Sequence, residues 1–306
     1  MTGRRSAGRL VVALAVPSLV AVAALWLART AWSRSPDALA DIGVVRLVGF
    51  FAGLVLVHAL TLVLWRRFSA LHGSERAVAD AFVDLGVSAI GKYLPGKVAG
   101  LLGRGAYTDG KLRPSVGKAA LSVSEQLICL WGGLALLCAF ALASRESGAI
   151  AVLVLCATAP TIAVLPFALC ARSHRLRGSR LFGPVLSMAL HANLLLVFGY
   201  LVLWTLNALP FIALVTVIPS LGTPELIHVG MAFVAAVIVG WLAFVVPAGI
   251  GVREAAFVAL APSSLGWEQA TSLIALHRGL STTFDVALGA AVLATIASRH
   301  ATRLPA

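Results

Sequence analysis

The sequence predicts an all-α fold, a polytopic transmembrane helical bundle of about six to eight membrane segments, two of them re-entrant hairpins broken at Pro-Gly pairs. Three observations predict it. Hydrophobic residues make up 60% of the chain and charged residues 12%, with mean hydropathy +0.96, where a soluble domain carries about 25% charge. Several stretches of roughly 18 residues or more run almost without charge, long enough to cross about 30 Å of hydrocarbon. Two apolar regions are interrupted by Pro, Gly and basic residues: Gly91-Lys92-Tyr93-Leu94-Pro95-Gly96-Lys97, and Val246–Glu254.

Leu10–Leu27 is the first expected span. Arg4, Arg5 and Arg9 precede it and no clear small-residue cleavage site is seen, which predicts a retained signal anchor with a cytoplasmic N-terminus. The next loop balances Arg29 and Arg34 against Asp37 and Asp41, as an outer loop can. Val44–Trp65 returns the chain to Arg66, Arg67 and Arg76 inside. Ala81–Gly103 then has these arginines before it and Arg104, Lys111, Arg113 and Lys118 after it. A simple crossing would put one basic cluster outside, so the segment is predicted to enter, break at Pro95 and Gly96, and leave by the same face.

Ala119–Ala143 and Ala149–Cys170 cross outward and back. Arg172, Arg175, Arg177 and Arg180 mark residues 172–180 as a cytoplasmic loop. That loop divides a single transmembrane domain, 1–306, into candidate halves 1–171 and 181–298. Pro184–Trp204 crosses out, while Leu209–Ile218, bounded by Pro210 and Pro219, is too short to span alone. Ala270–Ala297 delivers Arg299 and Arg303 to the cytoplasm, so Val229–Ala261 must enter and return on the outer side. It is a second hairpin of opposite entry, broken at Pro247, Gly249 and Gly251. Broken segments at corresponding places in two halves point to an inverted repeat.

The net charge of +12 would suggest nucleic acid in a soluble protein, but here the basic residues gather in loops between spans, so no nucleic-acid partner is expected. Cys129, Cys138, Cys156 and Cys170 lie in apolar runs and read as small core or lipid-facing residues. Lys92 and Lys97 flank a broken backbone whose freed N–H groups suit an anion such as a phosphate, although snorkelling to the interface explains either lysine as well. Arg253-Glu254 opens a short helix, with the arginine read as a headgroup clamp and the glutamate as the group that holds it.

Glu125, Arg278 and Asp285 are charges inside spans, which mark a cavity or a buried partner. Arg278 and Asp285 share a helix face and could meet Glu125 and Lys97, but spacing does not assign the pairs. His58, His191 and Asn193 read as interhelical hydrogen-bonding groups, and His277 is left open. Without a metal cluster, a P-loop or a nucleophile elbow, no cofactor, metal or catalytic residue is expected.

Taken together these residues resemble the flippase-like family of integral membrane proteins named after the transmembrane region of lysylphosphatidylglycerol synthase. The resemblance rests on Gly91–Lys97 with Arg104 after it, Glu125 in the next span, Pro247–Glu254, and Arg278, and it covers residues 10–298. It implies a stand-alone membrane domain that flips an anionic or modified lipid between leaflets, such as an aminoacylated phospholipid or a polyprenyl-linked sugar. Lys92, Tyr93, Lys97, Arg104, Arg253 and Arg278 would then meet the headgroup, with Glu125, Glu254 and Asp285 as cavity carboxylates. The sequence departs from the family pattern at Gln126, where an arginine often follows the glutamate, and at Ala248, where glycine is common. No counterpart of the aminoacyl-transferring domain is found, so lipid aminoacylation is not implied.

The alternative is a membrane-embedded accessory subunit or enzyme of glycolipid or cell-envelope synthesis, with Asp80 and Asp84 as its carboxylates; both also read as solvated helix-start acids. A scaffold for a partner protein or a homo-oligomer is the third reading. The Ala- and Arg-rich usage points to a high-GC bacterium and hence to its plasma membrane.

Overall fold

The computed structural model describes residues 42–94, 115–144, 153–162, 190–218, 220–243 and 245–301, with positions 18, 19, 22, 26, 29, 100, 103–105, 107–108, 111–112 and 150. The first expected span lies almost wholly outside the described residues. So do Pro95, Gly96, Lys97, Cys170 and the loop 172–180.

A backbone in hydrocarbon must satisfy its own polar groups, so the apolar runs form helices. In chain order these are α1 (Val44–Leu71), α2 (Val78–Gly91), α3 (Val116–Ala143), α4 (Leu153–Ile162), α5 (Leu190–Val215), α6 (Thr223–Leu242), α7 (Val252–Leu260) and α8 (Trp267–Ala301). Five of them, α1, α3, α5, α6 and α8, contain apolar windows long enough to cross a membrane. A two-residue antiparallel ladder, Tyr107–Thr108 with Lys111–Leu112, joins α2 to α3 and is the only strand pairing among the described residues.

One expected boundary is corrected. Leu209–Ile218 is not a separate outer segment, because α5 runs unbroken through Pro210 to Val215. Proline removes one helical hydrogen bond, but in an apolar setting ending the helix would expose several more backbone groups. Gly53 of α1 makes room for the ring: a Cβ there would stand 2.9 Å from Pro210 Cγ.

Helix α5 packs against α1, α3 and α6, α2 packs against α8, and α7 folds back onto α6. One apolar cluster centres on Trp65, Tyr200 and Trp204. A second joins Phe50, Phe211, Phe233 and Phe257, with Phe211 stacked on Phe233 at 4.5 Å. Val45, Val55, Leu195 and Phe198 face outward, as lipid-facing side chains do.

The second break is resolved in detail. After α6 the chain makes a 3₁₀ turn over Pro247–Gly249 and restarts at Val252. Gly249 and Gly251 have φ of 68° and 80°, and Ala248, at φ 50°, is the one non-glycine described with positive φ. Left-handed backbone is the conformation glycine adopts most easily, so an alanine there is strained. The strained peptide is pinned on both sides: Ala248 N–H donates to the Lys92 carbonyl at 2.8 Å, and Arg278 Nη2 donates to the Ala248 carbonyl at 2.9 Å.

Gly249 also lies directly on α6, where a Cβ would stand 2.6 Å from the Gly240 carbonyl oxygen and 2.8 Å from Gly240 Cα. Gly249→Ala is expected to cost roughly 2–4 kcal/mol, combining left-handed strain with a backbone clash. Gly251→Ala meets open space and should cost only about 1–2 kcal/mol. Thermal unfolding of the two variants in one detergent compares them, and equal losses would refute the close approach.

Candidate functional site

Where the C-terminal end of α2 meets the 3₁₀ turn, the bundle holds a cavity of about 380 Å³ walled by α1, α3, α5, α6 and α8. The Ala248 N–H to Lys92 carbonyl bond ties the two interrupted segments together at its edge. Lys92, Arg104, Arg253 and Arg278 line it, against the two carboxylates Glu125 and Asp285.

Three charged groupings build the walls. In the first, Lys92 Nζ lies 2.7 Å from Asp285 Oδ2. The Tyr93 hydroxyl donates to the same oxygen at 2.7 Å and stands 3.1 Å from Thr282 Oγ1. Lys92 is 44% exposed along its side chain, whereas Tyr93 is buried. Tyr93 is thus placed behind Asp285 as a brace and does not line the cavity. His58 Nε2 faces the other carboxylate oxygen, Oδ1, at 4.0 Å.

The second grouping surrounds α7. Glu254, at the third helical position, reaches back to accept from Gly251 N–H at 2.6 Å, one half of a capping box. Its Oε1 lies 3.8 Å from Arg278 Nε. The expected Glu254–Arg253 clamp is therefore corrected, since adjacent residues on a helix point in different directions. Arg253 instead donates to His277 Nδ1 at 3.2 Å and stacks over the Phe233 ring at 4.7 Å. His277 sits edge-on to Phe50, Phe211 and Phe233, which fix the ring.

The third grouping is the deepest. Glu125, 1% exposed, accepts from Arg104 Nη2 at 3.0 Å and from the Tyr200 hydroxyl at 2.6 Å. The Arg104 guanidinium covers the Trp65 ring at 4.8 Å. Trp65 donates its indole N–H to Asp84 at 3.1 Å, and Arg76 pairs with the same carboxylate at 3.6 Å while bonding the Gly105 carbonyl. Asp84 is fully buried, so its reading as a solvated acid is corrected.

The pairings differ from the candidates the sequence left open. Asp285 takes Lys92, Glu125 takes Arg104, and Arg278 takes Glu254 and a backbone carbonyl. His58 bonds the Leu54 carbonyl of its own helix through Nδ1, and its Nε2 faces Asp285 of α8 at 4.0 Å. The side chains of His191 and Asn193 lie outside the described residues.

Buried charges are tolerated when paired and hydrogen-bonded. Here the compensation is incomplete on both sides, since Glu125 Oε2 and Glu254 Oε1 are also buried without a hydrogen-bond partner among the described residues. Among the described residues no carboxylate pairs with Arg253. The Nε atoms of Arg253, Arg278 and Arg104 are buried without a hydrogen-bond acceptor there. The unfilled arginine donors suit the acceptor oxygens of an anion, and the unfilled carboxylate oxygens suit a donor. Among the described residues no group of three or more His, Cys, Asp and Glu could hold a metal ion.

The chain matches no described protein family, no curated protein and no solved structure. Fold and composition define its class directly: an all-α, multi-pass membrane protein with a charged internal cavity.

Proposed function

We propose that the protein moves an anionic lipid between leaflets, with the headgroup sheltered in this cavity and the acyl chains left in the bilayer. One observation carries the reading: a cavity within membrane-length helices has four cations and two carboxylates on its wall, at the place where two interrupted segments meet. A volume of about 380 Å³ suits a headgroup and not a whole lipid. Crossing roughly 30 Å of hydrocarbon is prohibitive for a phosphate unless fixed donors replace its water.

In this reading Pro247–Gly251 is the inner end of one re-entrant hairpin. The sequence-expected hairpin of Ala81–Gly103, whose Pro95-Gly96 pair lies outside the described residues, opposes it, and rocking of one against the other gives alternating access. Both termini are then cytoplasmic and the membrane is the plasma membrane. The family resemblance implies the same activity. The enzymatic alternative is less well supported, because Asp84 is held by Trp65 and Arg76 away from the cavity.

The test is a mass-spectrometric profile of lipid retained by the gently purified protein, wild type beside Arg253→Ala. One anionic or glycosylated lipid should be enriched in wild type and lost in the variant. Bulk lipid in both would overturn the reading.

A further inference from the structure

We propose that His58 and Asp285 form a proton-binding site on the cavity wall, and that a proton held there releases Lys92 from Asp285 into the cavity. The inference rests on the lipid reading only for what Lys92 then meets; the proton site stands on geometry of its own.

His58 Nδ1 lies 2.8 Å from the Leu54 carbonyl. A carbonyl only accepts, so Nδ1 carries the ring proton and Nε2 of the neutral ring is a bare lone pair. That lone pair faces Asp285 Oδ1 at 4.0 Å. Two acceptors confront each other across a gap too wide for a hydrogen bond, on a wall open to the cavity. A proton arriving from water at Nε2 turns the ring into an imidazolium directly opposite a carboxylate.

Asp285 is then faced by two cations. His58 is fixed by its bond to Leu54 and by the Phe284 ring at 4.9 Å. Lys92 is partly exposed, has a flexible stem and already borders the cavity, so it is the cation that can leave. Tyr93 keeps its bond to Oδ2 and holds the carboxylate in place.

The neighbouring elements contribute few competitors. From α8 come Asp285 and, nearer the 3₁₀ turn, Arg278 and His277, the last accepting from Arg253 of α7. From the end of α2 come Lys92 and Tyr93. From across the cavity come Arg104 and, on α3, Glu125, which are paired with each other. The sequence of α5, packed along α1, contains no Asp, Glu, Lys or Arg.

Uptake of the proton adds one positive charge to the wall and frees an ammonium for an anion. Proton and anion therefore bind with positive linkage, and a proton gradient becomes the energy source for movement.

The test follows the ring nitrogens of His58 by ¹⁵N NMR in the full chain embedded in lipid nanodiscs, with His58→Gln assigning the signal. The ring should carry its proton on Nδ1 at high pH and gain the second as the pH is lowered. At the pH of half protonation in wild type, Asp285→Asn should reduce the ratio of doubly to singly protonated ring by about tenfold, and Lys92→Met should raise it. If Asp285→Asn does not fold, Lys92→Met decides the matter alone. A proton on Nε2 at high pH, or unchanged protonation in the variants that fold, overturns the site.

Vesicles holding a fluorescent phosphatidylglycerol and an imposed pH gradient separate the two readings. Lipid movement equal in wild type and His58→Gln overturns the coupling and keeps the lipid reading. A sound NMR titration with no lipid movement in wild type keeps the proton site and overturns the lipid reading.

Discussion

Replacing Glu125 with alanine is expected to destabilise the protein by about 3–5 kcal/mol, the cost of leaving a buried charge without its counterion. Glu125 accepts from Arg104 and Tyr200 inside the first apolar cluster, and Arg104 is itself only 7% exposed. Once the carboxylate is gone, the guanidinium keeps the Trp65 face but loses its anion. The disturbance reaches further than one helix pair, because Trp65 also bonds Asp84 of α2. Tyr200→Phe removes one hydrogen bond to a charged acceptor and should cost less, about 1.5–3 kcal/mol. The double variant Arg104→Met with Glu125→Leu should recover most of the loss, since apolar pairs of similar volume often replace buried ion pairs without penalty. Tryptophan-fluorescence melting in detergent micelles reads all four proteins. A Glu125→Ala protein that melts with wild type would show that the pair contributes nothing.

What the sequence made legible was charge in the wrong place. Lys92, Glu125, Arg253, Arg278 and Asp285 stood out because ionised groups in apolar runs are costly, Arg104 reads as a loop cation that the resemblance also uses, and all six reach the same cavity wall. The helices were legible for the same reason, as uncharged runs of membrane length. Partner choice was not, because it depends on helix rotation and on how far each chain reaches. Asp285 selects Lys92 through a backbone contact between Lys92 and Ala248, some 150 residues apart, a link no local pattern encodes.

His277 and Phe233 were missed as the support for Arg253 because an apolar-run histidine and a phenylalanine carry no distinctive signal. Asp84 was misread because a short acidic spacing near a helix start looks the same whether solvated or buried. Pro210 misled through its general helix-breaking character, which the opposing Gly53 of α1 accommodates.

Arg253→Ala is expected to lower lipid movement by roughly 30- to 150-fold, the loss of a charge-assisted contact of about 2–3 kcal/mol. Its effect on stability should be small, in contrast to Glu125→Ala. Arg253 has no carboxylate partner among the described residues, so truncation leaves no buried anion behind, and His277 loses only a donor. Arg278→Ala should damage both properties, because it strips the Ala248 carbonyl of its donor and Glu254 of its nearest cation. Arg253→Lys keeps the charge but not the planar fork or its fit over Phe233, and should fall between wild type and alanine. Reconstituted vesicles with fluorescent phosphatidylglycerol, bleached from outside by dithionite, give the rates, and melting curves give the stabilities. A stable Arg253→Ala protein with a wild-type rate would take this cavity out of the lipid's path and leave Arg253 with its contacts to His277 and Phe233 as its role.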